Sequence, residues 1–132
     1  MSGGIVGLDH VQVAAPAGCE SEARRFYGEL LGLEEIPKPP RLATRGGVWF
    51  RLGAHELHVG VVDQFSPATK AHPAFRLDSL EALEAAADRL RHASCVVDWA
   101  DPGEIPGTTR FHVHDPWGNR LELVVREDLP RV

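Results

Sequence analysis

The sequence predicts an α+β fold assembled from two similar halves, and three observations predict it. The order strand, helix, strands occurs twice, over about residues 5–63 and again over about 71–126. The closing strand of each half alternates: Leu57, Val59 and Val61 oppose Glu56, His58 and Gly60, and Leu121, Leu123 and Val125 oppose Arg120, Glu122 and Val124. Ionisable side chains also obey the repeat, since His10 and His58 are 48 positions apart and His72 and Glu122 are 50 apart. A sheet with one apolar face packs that face on helices and leaves the other for polar groups.

The elements follow in chain order. Ile5 to Ala14 alternates, is rich in valine, and reads as a strand. Ala23, Phe26, Tyr27, Leu30 and Leu31 recur at helical spacing; Glu20 and Glu22 suit the positive end of that helix, and Gly32 ends it. Pro37, Pro39 and Pro40 stiffen a loop, after which Val48–Leu52, Gly53-Ala54 and His55–Val62 read as a hairpin. In the second half His72–Leu77 is a short strand. Asp78 and Ser79 cap a helix carrying Leu80, Leu83, Ala87 and Leu90, and Cys95–Trp99 is a strand. A second hairpin joins Thr109–His114 to Arg120–Val125 through Asp115-Pro116-Trp117-Gly118-Asn119.

Bulk properties narrow the function. A chain of 132 residues, 43% apolar and 25% charged, suits one globular domain. A formal net charge of −5 argues against nucleic acid as a partner. No apolar run reaches the length of a membrane span, and Met1-Ser2-Gly3-Gly4 lacks the basic and apolar regions of a signal peptide. Cys19 and Cys95, without CxxC spacing, read as free thiols in a reducing compartment, so a cytoplasmic protein is expected.

Seven histidines supply the chemistry worth following. Taken alone, each would read as a surface or core residue. Together, His10 with Gln12, His72 with Arg76, His58 and Glu122 lie on the polar faces of corresponding strands, and a pseudo-twofold relation of the halves would bring the four donors into one pocket. Imidazoles with one carboxylate suit one divalent ion such as Zn²⁺, Fe²⁺, Ni²⁺ or Mn²⁺. Gln12, Trp49, Phe50, Arg76 and Phe111 are the expected pocket wall, offering a hydrogen-bonding amide, flat apolar area and an anion clamp for a small acidic or aromatic substrate. His112 and His114 share a face near this site. No nucleophile elbow or phosphate loop is present.

The segments LDHVQV, RRFYGELLGLEE, GVWFRL, ELHVGV, AHPAFRL and FHVHDPWGNRLELVV closely resemble the vicinal oxygen chelate superfamily, over nearly the whole chain. That group includes glyoxalase I, bleomycin resistance proteins, extradiol dioxygenases and fosfomycin-resistance thiol transferases. The resemblance implies paired βαβββ modules, about eight strands, a cup formed by curved sheets and a homodimer. It implies metal ligands at His10, His72 and Glu122, with a fourth position at His58 or Glu56. Glyoxalase I-like members carry a glutamate on this strand and use a metal-bound carboxylate as the proton-transfer base. Here the apolar register sets His58, rather than Glu56, opposite Glu122. Glu122 and Glu56 are therefore the expected catalytic carboxylates and His58 the fourth metal or pocket residue. The implied activities are isomerase or lyase, thiol transferase or dioxygenase chemistry on vicinal oxygens. The other implied role is metal-free sequestration of a small molecule.

Overall fold

The computed structural model describes residues 3–127. Met1 and Ser2, half of the segment read above as carrying no leader, lie outside them. The chain divides between Phe65 and Ser66 into two compact units, and this boundary falls between the two expected modules. The roughly eight strands expected appear, among the described residues, as two four-stranded mixed sheets, one per unit.

The first unit contains β1 (His10–Ala15), α1 (Glu20–Ala23) running directly into a π-helical stretch (Arg24–Leu30), β2 (Glu34–Ile36), a 3₁₀ turn (Ala43–Arg45), β3 (Val48–Leu52) and β4 (His55–Val61). The sheet order is β1-β4-β3-β2, with β1 parallel to β4 and the other pairs antiparallel. Val13, Ala15, Val48, Phe50, Leu57 and Val59 bury one face with Phe26 and Tyr27 of the helical segment, and the Tyr27 and Phe50 rings lie 6.0 Å apart.

A latch ties the start of this helix to the sheet. The Gly47 N–H donates to Glu20 Oε2 at 2.7 Å, and that bond, ahead of other causes, holds the Glu20 carboxyl below its usual pKa. Gly47 has φ +87°, and a Cβ there would stand 2.2 Å from the Val59 carbonyl oxygen. Only glycine fits this approach.

The first strand is shorter than its sequence pattern. His10 pairs with Glu56, one residue inside the start of β4. A strand reaching back to Ile5 would need partners in the Gly53-Ala54 turn, where the ladder has already ended. Ile5 and Val6 therefore stand fully exposed. The three-residue β2 is too short for alternation to reveal, and it was not singled out from the sequence.

The second unit contains β5 (Ala74–Arg76), α2 (Leu80–His92), β6 (Asp98–Trp99), β7 (Thr108–His114) and β8 (Arg120–Arg126), in the sheet order β5-β8-β7-β6. Ser79 caps α2 as expected, its Oγ accepting from the Ala82 N–H at 3.1 Å. Leu83, Ala86, Ala87 and Leu90 form the helix's buried stripe. Phe75, Phe111, Val113, Leu121 and Leu123 supply the sheet side of the core. The strands expected at His72–Leu77 and Cys95–Trp99 are both trimmed. Pro73 has no N–H to give a ladder, although its carbonyl still accepts from the Glu122 N–H at 3.1 Å.

The β7–β8 turn explains its own sequence. Buried Asp115 accepts through Oδ1 from the Trp117 and Asn119 N–H groups, at 3.0 and 2.9 Å, and through Oδ2 from Asn119 Nδ2 at 2.8 Å. Asn119 Oδ1 accepts in turn from the Ala68 N–H at 3.1 Å, anchoring the loop that leads to His72. Among the described residues, no helix is long and apolar enough to cross a membrane.

The latch and the cap should differ in energetic weight. Gly47→Ala must move the β4 backbone, and we expect a loss of about 2–4 kcal/mol. Ser79→Ala leaves one N–H without its cap and should cost about 1 kcal/mol. Urea denaturation of both variants checks the order; equal, small effects would show that the Gly47 contact relaxes without cost.

Candidate metal centre

Strand register decides which side chains can meet. In the first sheet, Gln12 pairs with His58 across β1–β4, and Trp49 pairs with His58 across β3–β4. All three lie on the face opposite Val48, Phe50, Leu57 and Val59. The His58 ring is sandwiched: Trp49 stacks on it at 3.7 Å and 3°, and His10 at 4.3 Å and 20°. Its Nε2 meets Glu56 Oε1 at 2.8 Å. His58 is buried, whereas His10, at the strand end, is exposed and pairs with Asp9 at 2.8 Å. Gln12 lies along the sheet over Gly60, where an added Cβ would stand 2.9 Å from its carboxamide.

The second sheet repeats the register with different chemistry. Glu122 occupies on β8 the place that His58 holds on β4. It pairs with Ala74 of β5 and with His112 of β7, which takes the position of Trp49. An imidazole thus replaces an indole beside a carboxylate that replaces an imidazole. His72 reaches the same carboxylate from the approach to β5. His72, His112 and Glu122 each offer a donor atom, and these atoms all lie within 4.8 Å of one another. Among the described residues this is the one such group of three or more His, Cys, Asp or Glu side chains.

Protonation shapes the cluster. His72 Nδ1 lies 3.0 Å from the Lys70 carbonyl, which can only accept, so Nδ1 carries the proton. In a neutral ring Nε2 then presents its lone pair to Glu122 Oε1, at 3.1 Å. His112 Nε2 lies 3.3 Å from the same oxygen, is buried, and has no hydrogen-bond partner among the described residues. Burial, ahead of repulsion from Arg120, lowers the His112 pKa and keeps that ring neutral, while Glu122 opposes the shift. Glu122 Oε1 is thus faced by two imidazole nitrogens, a donor set that together with the carboxylate suits a divalent ion. Donors about 2.1 Å from a tetrahedral ion stand about 3.4 Å apart, close to the 3.1 and 3.3 Å that separate the two imidazole nitrogens from Glu122 Oε1.

Arg110 closes the cluster on one side. Its Nη1 donates to Glu122 Oε1 at 3.4 Å, and its Nη2 donates to Glu104 Oε2 at 2.8 Å. Glu104 belongs to the loop between β6 and β7 and is exposed.

Sequence reasoning and structure agree unevenly on these residues. His72 and Glu122 meet as expected, and Gln12, Trp49 and Arg76 lie on polar faces, with Arg76 exposed on β5. His10, His58 and Glu56 gather within the first unit as a ring stack and a hydrogen-bonded pair. Phe50 and Phe111 are corrected as wall residues: both are 0% exposed and belong to the core faces. Alternation puts Trp49 and His112 on the polar faces and forces their neighbours inward. His112 and Arg110 were not assigned as site residues. Their signal was the alternation Arg110, His112, His114 on β7, combined with a β7–β8 register that sets His112 opposite Glu122.

The sequence profile described as the Glyoxalase/Bleomycin resistance protein/Dioxygenase superfamily matches residues 7–123. None of the curated proteins is a match. Among solved structures, a glyoxalase family protein from Bacillus anthracis is 48% identical, with 96% of this chain and 99% of that one covered and a TM-score of 0.85. Lactoylglutathione lyase from Agrobacterium tumefaciens is 18% identical, covering 90% and 92%, with a TM-score of 0.68. The fosfomycin resistance protein FosX from Listeria monocytogenes is 18% identical, covering 96% of each chain, with a TM-score of 0.69. The last two likenesses concern the fold.

His112 provides a direct check of the electrostatics. Its folded pKa lies below the ordinary 6.5, so the unfolded chain binds the proton more readily. The His112 share of stability is complete above pH 6.5 and is lost as pH falls through the folded value. NMR titration of metal-free protein should show this lowered midpoint, and His112→Gln should flatten stability against pH in that window. A midpoint at or above 6.5 would contradict the burial argument.

Proposed function

Since the chain belongs to the glyoxalase/bleomycin resistance protein/dioxygenase superfamily, we propose that it is a metal-dependent enzyme acting on a small molecule through vicinal oxygens. The observation that carries this reading is the convergence of His72 Nε2 and His112 Nε2 on Glu122 Oε1. His72 and Glu122 would hold the ion, with His112 as a third donor from β7. His10 and His58 remain donors of the set expected from the sequence. A divalent ion supplies Lewis-acid polarisation of substrate oxygens. The protein's own contribution is orientation. The Lys70 carbonyl sets the His72 tautomer, the β7–β8 register holds His112 beside Glu122, and Glu56 holds the His58 ring through Nε2.

The activities implied by the resemblance mark the chemistry to test: isomerisation or lysis of a thiol adduct, thiol addition, and ring cleavage of a diol by dioxygen. Glu122 and Glu56 are the carboxylates available to carry a proton. The homodimer implied by the resemblance belongs to this proposal, as does a cytoplasmic setting in keeping with the free thiols of Cys19 and Cys95.

One observation favours a second reading. Arg110 already pairs with Glu122, so the cluster can stand as a salt-bridged network without an ion. That would suit a protein that binds and sequesters a small molecule.

Elemental analysis of protein purified without an affinity tag separates the readings. We expect about one divalent ion per chain, lost in the His72→Ala, Glu122→Gln double variant and weakened about tenfold or more in His112→Gln. His10→Ala and His58→Ala measure the share of the first unit. Full metal retention in the double variant would sink the assignment. Turnover of methylglyoxal–glutathione hemithioacetal, a catechol or an epoxide antibiotic supports the enzyme, whereas tight binding of one of them without turnover under any divalent metal supports sequestration.

A further inference from the structure

Two arginines in this chain show what a guanidinium does with its side-on edge. The N–H groups of Nε and Nη2 point the same way and fit the two oxygens of one oxyanion. Arg24 uses both: Nε donates to Glu35 Oε1 at 2.9 Å and Nη2 to Glu35 Oε2 at 3.3 Å. Arg110 uses one. Its Nη2 donates to Glu104 Oε2 at 2.8 Å, while its Nε, buried in the same side chain, has no hydrogen-bond partner among the described residues.

The unfilled half of this fork is costly. A buried N–H without an acceptor loses its water and gains nothing in exchange, and Arg110 is only 13% exposed at its side chain. Glu104 is a weak occupant, 58% exposed on a turn-built loop. That loop is shaped by its own bonds, including the Gly103 N–H to Asp101 Oδ1 at 2.9 Å and the Glu104 N–H to the Asp101 carbonyl at 3.1 Å. The third nitrogen, Nη1, reaches Glu122 Oε1 at 3.4 Å. The guanidinium therefore spans from the carboxylate of the candidate metal centre to an exposed loop carboxylate.

We propose that Arg110 is the substrate-recognition residue for an oxyanion, and that Glu104 is an internal carboxylate which the substrate's acidic group displaces. The substrate class is a short acid whose carboxylate or phosphonate lies a few bonds from the oxygens that react. Displacing Glu104 frees Nη2 while Nε is already without an acceptor, so one incoming oxyanion closes the fork as Glu35 closes that of Arg24. The location of that acid beside the reacting oxygens rests on the function proposed above; the clamp itself does not need the metal.

The test uses the full chain stripped of metal by chelation, with methylphosphonate as the probe and dimethyl sulfone as a neutral control. NMR of the arginine Nε–H resonances should show a saturable shift of Arg110 with methylphosphonate and none with dimethyl sulfone. Glu104→Gln removes the competing carboxylate and should tighten binding by about threefold, in keeping with the modest worth of an exposed ion pair. Arg110→Gln should abolish binding, and Arg110→Lys, which keeps the charge but loses the fork, should weaken it by about tenfold. Absence of an Arg110 shift in the unsubstituted protein, or unchanged or weaker binding in Glu104→Gln, overturns the proposal without relying on the fold of an Arg110 variant. Equal binding by Arg110→Lys overturns the fork. Arg110-dependent binding in a protein that purifies without metal refutes the metal reading alone and leaves the clamp standing.

Discussion

The candidate centre depends on the register of β8 between its two neighbours. The parallel ladder to β5 and the antiparallel ladder to β7 together put Glu122 beside Ala74 and His112. Because side chains alternate, a slip of one residue would send Glu122 into the apolar core and bring Leu121 or Leu123 to the polar face. The buried Asp115–Asn119 turn guards against that slip, since it sets the β7–β8 hairpin length and also ties Ala68 to the start of β8. The same turn thus helps deliver His72, from a different part of the chain, to the carboxylate.

The two halves show how one backbone register can carry opposite chemistries. In the first, an imidazole lies between two flat rings and gives a nitrogen to Glu56. Ring faces there provide packing and a fixed orientation, and the stack exposes little of the ring that it holds. In the second, the corresponding place holds a carboxylate flanked by two imidazoles and a guanidinium. Charge and lone pairs dominate, and the balance among them is sensitive to what else enters. Arg110 and an ion compete for the same Glu122 oxygen, so the network has two ways to satisfy that oxygen.

Much of this was legible in the residues. Alternation in β4 and β8 marked which faces are polar, and helical spacing located both helices, because burial imposes those periods directly. His72 and Glu122 were legible as a pair through the repeat. Phe50 and Phe111 were misassigned to the pocket wall because aromatic character alone does not tell inward from outward; the alternation beside Trp49 and His112 does. Arg110 and His112 escaped assignment as site residues for another reason. Their roles depend on cross-strand register and side-chain direction, which are set by tertiary pairing rather than by local pattern. The short β2 and the trimmed strands escaped because a ladder ends where its partner ends, as β1 does opposite the start of β4.

The π-helical stretch Arg24–Leu30 has a further implication for how the chain tolerates changes in length. Leu31 N–H bonds back five residues to the Phe26 carbonyl at 3.0 Å, so this stretch holds more residues per turn than an α-helix. Deleting one residue here would return the stretch to ordinary α-helical bonding, because the wide turn is what absorbs the extra residue. The segments on either side would keep nearly the same rotation, so Glu20 would stay within reach of Gly47 while Phe26 and Tyr27 stayed in the core. The stretch is therefore a place where the chain tolerates a one-residue change of length that an ordinary α-helix, turning about 100° per residue, does not.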